Sequence, residues 1–180
     1  MAVSSPRSAL DLMVQYARYH RDRRNISTHF VGIPMIVLAI GVLLARVQFG
    51  AGTLVLTAAW LIWLMSTLWY LTRGLPLLGA ATALFNAALL AMAAPLAAGS
   101  TAAWLGWGLG LFFVGWLIQF VGHYYEGRKP AFLDDLVGLL VGPMFIVAEA
   151  LFAAGWGRKL LAEIERQAGP TFIRDLTHPA

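Results

Sequence analysis

Cysteine is absent from this 180-residue chain, which excludes disulfides, thiolate metal sites and cysteine nucleophiles. Charge is scarce as well. Asp, Glu, Lys and Arg make up 12% of the chain, against about 25% in soluble domains. Hydrophobic residues supply 59% and the mean hydropathy is +0.71. Those figures exclude a water-soluble globular protein and predict an integral membrane protein. No internal repeat is convincing, which argues against an inverted-repeat transporter. No apolar h-region occurs in the first 28 residues, so no cleavable signal peptide is expected. The pI near 9.9 would suggest nucleic acid in a soluble protein. Here the cations flank apolar segments and suit anionic headgroups and topology, so no nucleic-acid partner is expected.

What is present is apolar length. A spanning helix needs about 20 apolar residues, and four segments qualify: 29–47, 50–72, 76–98 and 102–122. A fifth stretch, 131–155, is interrupted by Asp134-Asp135 and Gly142-Pro143; since proline removes a backbone donor and kinks a helix, it reads as a broken span or a re-entrant hairpin. Residues 8–24 place Leu10, Met13, Val14 and Ala17 on one helical face, the pattern of an amphipathic helix on the membrane surface; a helix packed on the bundle is the alternative. The expected architecture is therefore all-α, one polytopic membrane domain over 1–180, with its bundle at 29–155 and a cytoplasmic tail at 156–180. With four crossings and a returning hairpin, 12 of the 13 Lys and Arg residues share one face and only Arg46 lies opposite. A full fifth crossing would give 8 and 5. The positive-inside rule favours the first arrangement, with both termini cytoplasmic.

That topology brings chemistry together. His20 and His29 precede the first span, and His123 and Glu126 close the fourth, so all four share a membrane face. Glu149, in the apolar hairpin, can approach the same point. His20 and His29 are nine positions apart, about 180° on one straight helix, so the chain must break between them for both to face one ion. Asn25, Ser27 and Thr28 are good N-cap residues for such a break. His123 and Glu126, at i and i+3, share a helix face. Ionisable groups at membrane depth point to a functional site, and imidazole is the commonest side-chain metal ligand.

The residues His20-x4-Asn25-x3-His29-x2-Gly32-Ile-Pro34, with Gln119-Phe-Val-Gly122-His123-x2-Glu126-x3-Pro130-Ala131 downstream and Gly142-Pro143-x-Phe145-x3-Glu149 after that, resemble the fungal and bacterial family of membrane 2-hydroxy-fatty-acid dioxygenases. The likeness covers about residues 10–155; the tail from Gly157 carries none. It implies a reaction dependent on Fe(2+), in which O2 converts a 2-hydroxy fatty acid to the acid one carbon shorter. Carried over by position, His20, His29 and His123 would be metal ligands, and Glu126 or Glu149 would supply a carboxylate. Neutral imidazoles plus a carboxylate with open positions suit a non-haem Fe(II) oxygenase, although three His also match a catalytic zinc site. Asn25, Gln119, Tyr19 and Tyr124 could fix the imidazole tautomers, with Asn25 placed among the catalytic residues. Arg24, Arg128, Lys129 and Tyr124 are the candidates for holding the substrate at the headgroup level.

Other features have plainer readings. Asn25-Ile-Ser27 matches a glycosylation sequon but falls on the predicted cytoplasmic face beside two histidines. His178 sits in a polar tail and reads as solvated. The seven Trp residues read as interfacial anchors, and Gly106, Gly108, Gly110 and Gly115 as close helix packing. Asp134-Asp135 reads as a helix N-cap after Pro130. The partners expected are a 2-hydroxy fatty acid and O2, with room for a homodimer. The rivals are a membrane zinc hydrolase acting on lipid, a small proton or metal-ion transporter, and a non-catalytic lipid-binding scaffold. Ala- and Gly-rich spans favour a bacterial inner membrane over the endoplasmic reticulum.

Overall fold

The computed structural model describes residues 7–51, 54–130, 133 and 135–177; Asp134 and His178 lie outside them. Ser8 opens the first helix, α1 (Ala9–Ala17), with a capping box in which its hydroxyl and the Asp11 carboxylate satisfy each other's backbone N–H groups. The apolar face of α1 is turned into protein: Leu12, Met13, Tyr16 and Ala17 are buried in the main core cluster.

Asp22 starts α2 (Arg23–Leu44), its carboxylate accepting the Arg24 N–H at 2.8 Å. The break between His20 and His29 therefore falls at residues 18–22, earlier than the N-cap expected at 25–28. The reason is long-range. A continuing helix would have used the N–H groups of Arg21 and Asp22, and both are instead claimed by Glu126.

The segment expected to be one span at 50–72 is two pieces. Strands β1 (Gln48–Ala51) and β2 (Leu54–Thr57) form an antiparallel hairpin with Gln48 opposite Thr57, and α3 (Ala58–Leu71) follows from a Thr57 N-cap. Gly50, at φ 117°, adopts a conformation that helical residues do not, and β-branched Val55 and Thr57 favour strand. Helix α4 (Pro76–Ala97) opens with proline at its first turn, where no N–H is needed. Helix α5 (Thr101–Glu126) runs from a Ser100 N-cap to a left-handed Gly127. Among the described residues α2, α4 and α5 are long and apolar enough to cross a membrane.

Pro143 does not interrupt the chain as expected. It sits in the second turn of α6 (Gly138–Ala153), where the missing N–H costs one early hydrogen bond. The sharp bend comes later: α7 (Arg158–Ala168) leaves α6 at 120° and packs on α1. Asp135, just before α6, pairs with Arg7, and Glu149, near its end, faces Arg21 at 4.0 Å.

The closest helix packing joins α2 to α5. Gly108, Gly115 and Gly122 recur every seven residues along α5, and a Cβ on them would strike Leu43, Ile36 with Gly32, and Thr28 with Asn25 in turn. Gly106 and Gly110 face open space, so only part of the expected glycine set packs. This glycine seam brings the start of α2 against the end of α5.

Candidate metal centre

Three imidazoles meet where the α1–α2 break faces the last turn of α5. His20 lies in the break, His29 in the second turn of α2, and His123 near the end of α5. All three are buried, at 0%, 2% and 6% exposure. One ligand atom from each falls within 4.8 Å of the others. Phe145 and a parallel Tyr16 ring, 4.0 Å from His20 between centroids, complete the shell.

Hydrogen bonding settles two tautomers. His20 Nδ1 is 2.7 Å from the Tyr16 carbonyl and His29 Nδ1 is 2.9 Å from the Asn25 carbonyl. A carbonyl only accepts, so each Nδ1 carries the proton, and each neutral ring turns a bare lone pair outward at Nε2. Those two Nε2 atoms are 2.9 Å apart, and His123 Nδ1 is buried without a partner. Facing lone pairs repel unless a cation lies between them. Burial, with His29 and His123 alongside, holds the His20 imidazole well below its usual pKa, so a shared proton is a poor substitute. The donor set, neutral nitrogens with their far N–H groups on carbonyls, fits a divalent transition metal.

The carboxylates lie elsewhere. Glu126 accepts the N–H groups of Arg21 and Asp22 at 2.8–3.0 Å and the Asn25 amide at 3.1 Å. Asn25 also donates to the Tyr19 carbonyl. Glu126 and Asn25 thus hold the break closed, while Glu149 faces Arg21. Both glutamates stand outside the ligand group. The tautomers expected from side chains of Asn25, Gln119, Tyr19 and Tyr124 are set for His20 and His29 by backbone carbonyls.

The predicted substrate cations are engaged. Arg24 forms a two-point pair with Asp22 and lies over the Tyr125 ring. Arg128 donates to the Arg18 carbonyl at 2.7 Å. Tyr124 is 70% exposed on the outer face of α5. None of Arg24, Tyr124, Arg128 or Lys129 lines the cavity of about 220 Å³ that reaches His29 and His123. Its walls are apolar, and its other polar side chains are Tyr16 and Gln119; the Gln119 carbonyl oxygen is buried without a partner.

Sequence reasoning missed the tail. Phe172 pairs with Arg21 and Arg23 backbone groups at 2.9 Å, and the Arg174 N–H donates to Asp22 at 2.8 Å. Nothing in the tail's composition signals this docking. Tyr16 was recoverable from the helix expected over 8–24, on which it lies four residues before His20.

Residues 7–154 match the family described as "2-hydroxy-palmitic acid dioxygenase Mpo1-like". The chain belongs to this family. It is 35% identical over 162 residues to the protein named 2-hydroxy-palmitic acid dioxygenase MPO1 from Saccharomyces cerevisiae (strain ATCC 204508 / S288c), covering 87% of this chain and 88% of that one. No solved structure matches it. The Mpo1-like region includes every histidine of the triad, Glu126, Glu149 and the cavity walls, and stops short of α7 and the docked tail.

Proposed function

We propose that this Mpo1-like protein is an iron(II)-dependent dioxygenase that converts a 2-hydroxy fatty acid to the acid one carbon shorter, at the cytoplasmic face of its membrane. The observation that carries this reading is a cluster of three buried imidazoles, two of which line an apolar cavity, in a chain whose yeast relative is named for that substrate class. Ferrous iron held by His20, His29 and His123 would supply O2 activation at a centre with open positions. The overall reaction balances with O2 alone: the hydroxy acid and O2 give the shorter acid, CO2 and water.

The chain's own residues do the rest. Tyr16 and Asn25 carbonyls fix the His20 and His29 tautomers, so both lone pairs point inward. Glu126 clamps the backbone that carries His20, acting as a positioning residue. The apolar walls take the acyl tail and keep bulk water from the reacting carbons, while Gln119 offers an unpaired oxygen to the 2-hydroxyl. Arg128 and Lys129, past the end of α5 and outside the cavity walls, would draw the carboxylate to the membrane face before it enters.

Elemental analysis of anaerobically prepared protein tests the centre: one iron per chain is expected, with O2-dependent turnover of 2-hydroxy acids. Replacing His20, His29 or His123 with Ala is expected to abolish both. Stoichiometric zinc with O2-independent hydrolysis of lipid would overturn the reading.

A further inference from the structure

The cavity at the histidines has a neighbour. A second cavity, of about 180 Å³, lies between α2, α3, α4 and α6, and Val37, Ile40, Leu139 and Pro143 line both. Val37 and Ile40 are i and i+3 on α2; Leu139 and Pro143 are i and i+4 on α6. Each pair shares a face of its helix, so the α2–α6 seam forms a common partition. Along α2 the combined lining runs from His29 to Leu44, about 22 Å of helix at 1.5 Å per residue. A carboxyl and an adjacent hydroxyl need only the first few of those ångströms. The remainder is apolar wall of long-chain dimensions.

The second cavity contains one unexplained polar group. Ser66 donates to the Trp63 carbonyl and the Tyr70 hydroxyl to the Leu140 carbonyl, so both are satisfied. The side chain of Asn86, 7% exposed, hydrogen-bonds Tyr70, but its oxygen has no partner. An unpaired buried amide oxygen is costly, and a methyl terminus pressed against it offers no hydrogen bond.

We propose that the two cavities form one bent acyl path, in which the tail turns through the α2–α6 seam and the length of the second cavity sets the longest tail accepted. This rests on reading the centre as a 2-hydroxy-fatty-acid site. Each methylene that finds apolar wall adds affinity; a methylene lying against the Asn86 oxygen leaves that acceptor unpaired and adds less. Chain-length preference is then decided on α3 and α4, away from the histidines.

The test uses the full-length, iron-loaded protein in detergent and two readouts on 2-hydroxy acids of rising chain length: displacement of a bound fluorescent fatty acid, and turnover. Ser66→Leu and Ala59→Leu each fill the second cavity from α3. Both are expected to keep short-chain affinity within about twofold and to weaken the longest acids tenfold or more. Asn86→Leu is expected to strengthen the longest acids about threefold, a gain that misfolding cannot mimic. The same chain-length profile in wild type and all three variants would overturn the path; a groove filled only by bilayer lipid gives that result. Wild type that shows the displacement profile but turns nothing over would sink the dioxygenase reading and leave the path standing. Turnover with an unmoved profile would sink the path alone.

Discussion

Each imidazole's chemistry is decided on the side that faces away from the triad. His20 and His29 donate their Nδ1–H groups to carbonyls one helical turn back, which costs no side chain and leaves Nε2 available to a metal. That economy explains why Glu126 is free to serve the backbone. Its oxygens accept two main-chain N–H groups and one amide, and a carboxylate is the one side chain that accepts at both ends. Glu126→Gln places an NH2 where an acceptor is required and leaves at least one of these donors unpaired. Iron affinity, read by titration of the apoprotein, is expected to fall about 10–100-fold, the range for changes behind a metal ligand. Unchanged affinity would show that the break is held without it. The spacing of His123 and Glu126 made their shared helix face legible in the sequence. The choice between ligand and backbone clamp was not, because it depends on N–H groups about 100 positions away in the chain.

At the scale of elements, the triad exists because α2 and α5 approach at glycine contacts. Gly122 is the closest of these to the metal site: an added Cβ would meet the Thr28 hydroxyl and the Asn25 amide oxygen, within four residues of His29. Gly122→Ala is expected to destabilise by about 1–3 kcal/mol, the usual cost of overpacking, and to weaken iron binding by displacing the first turn of α2. Gly106→Ala, in open space, is expected to be neutral or to stabilise by up to about 1 kcal/mol, as alanine is the better helix former. Thermal unfolding followed by tryptophan fluorescence reads both; equal effects would mean the seam is not specific. The apolar runs made α2, α4 and α5 legible to within a few residues at most of their ends. The region of 50–72 was not, because hydropathy is blind to whether an apolar stretch satisfies its backbone as helix or hairpin. The break at 18–22 was misplaced for a similar reason: Asp22 wins the N-cap through a partner on α5.

On the scale of the whole molecule, the tail reports on topology. Phe172 hydrogen-bonds with Arg21 and Arg23, so the C-terminal segment lies at the end of the bundle that carries α1 and the histidine triad. For His20 and His123 to meet with α2, α4 and α5 as crossings, α3 has to cross as well, and the expected return of α6 and α7 then keeps the tail on the face of the triad. The positive-inside rule predicts that this face is the cytoplasmic one, with Arg46 on the far side beside Gly99 and Ser100, whose carbonyls it binds. A chain without cysteine allows a direct test, since any introduced thiol is unique. Ile173, 65% exposed at the tail, and Gly99, in the exposed turn between α4 and α5, are suitable positions. Ile173→Cys is expected to resist an impermeant maleimide added outside intact cells and to react once the membrane is opened, while Gly99→Cys reacts in both conditions. Labelling of both from outside would place the tail and the α4–α5 turn on one face and would dismantle the four-crossing arrangement. The reverse pattern would move the metal site to the outer face and with it the pool of substrate that the enzyme can meet.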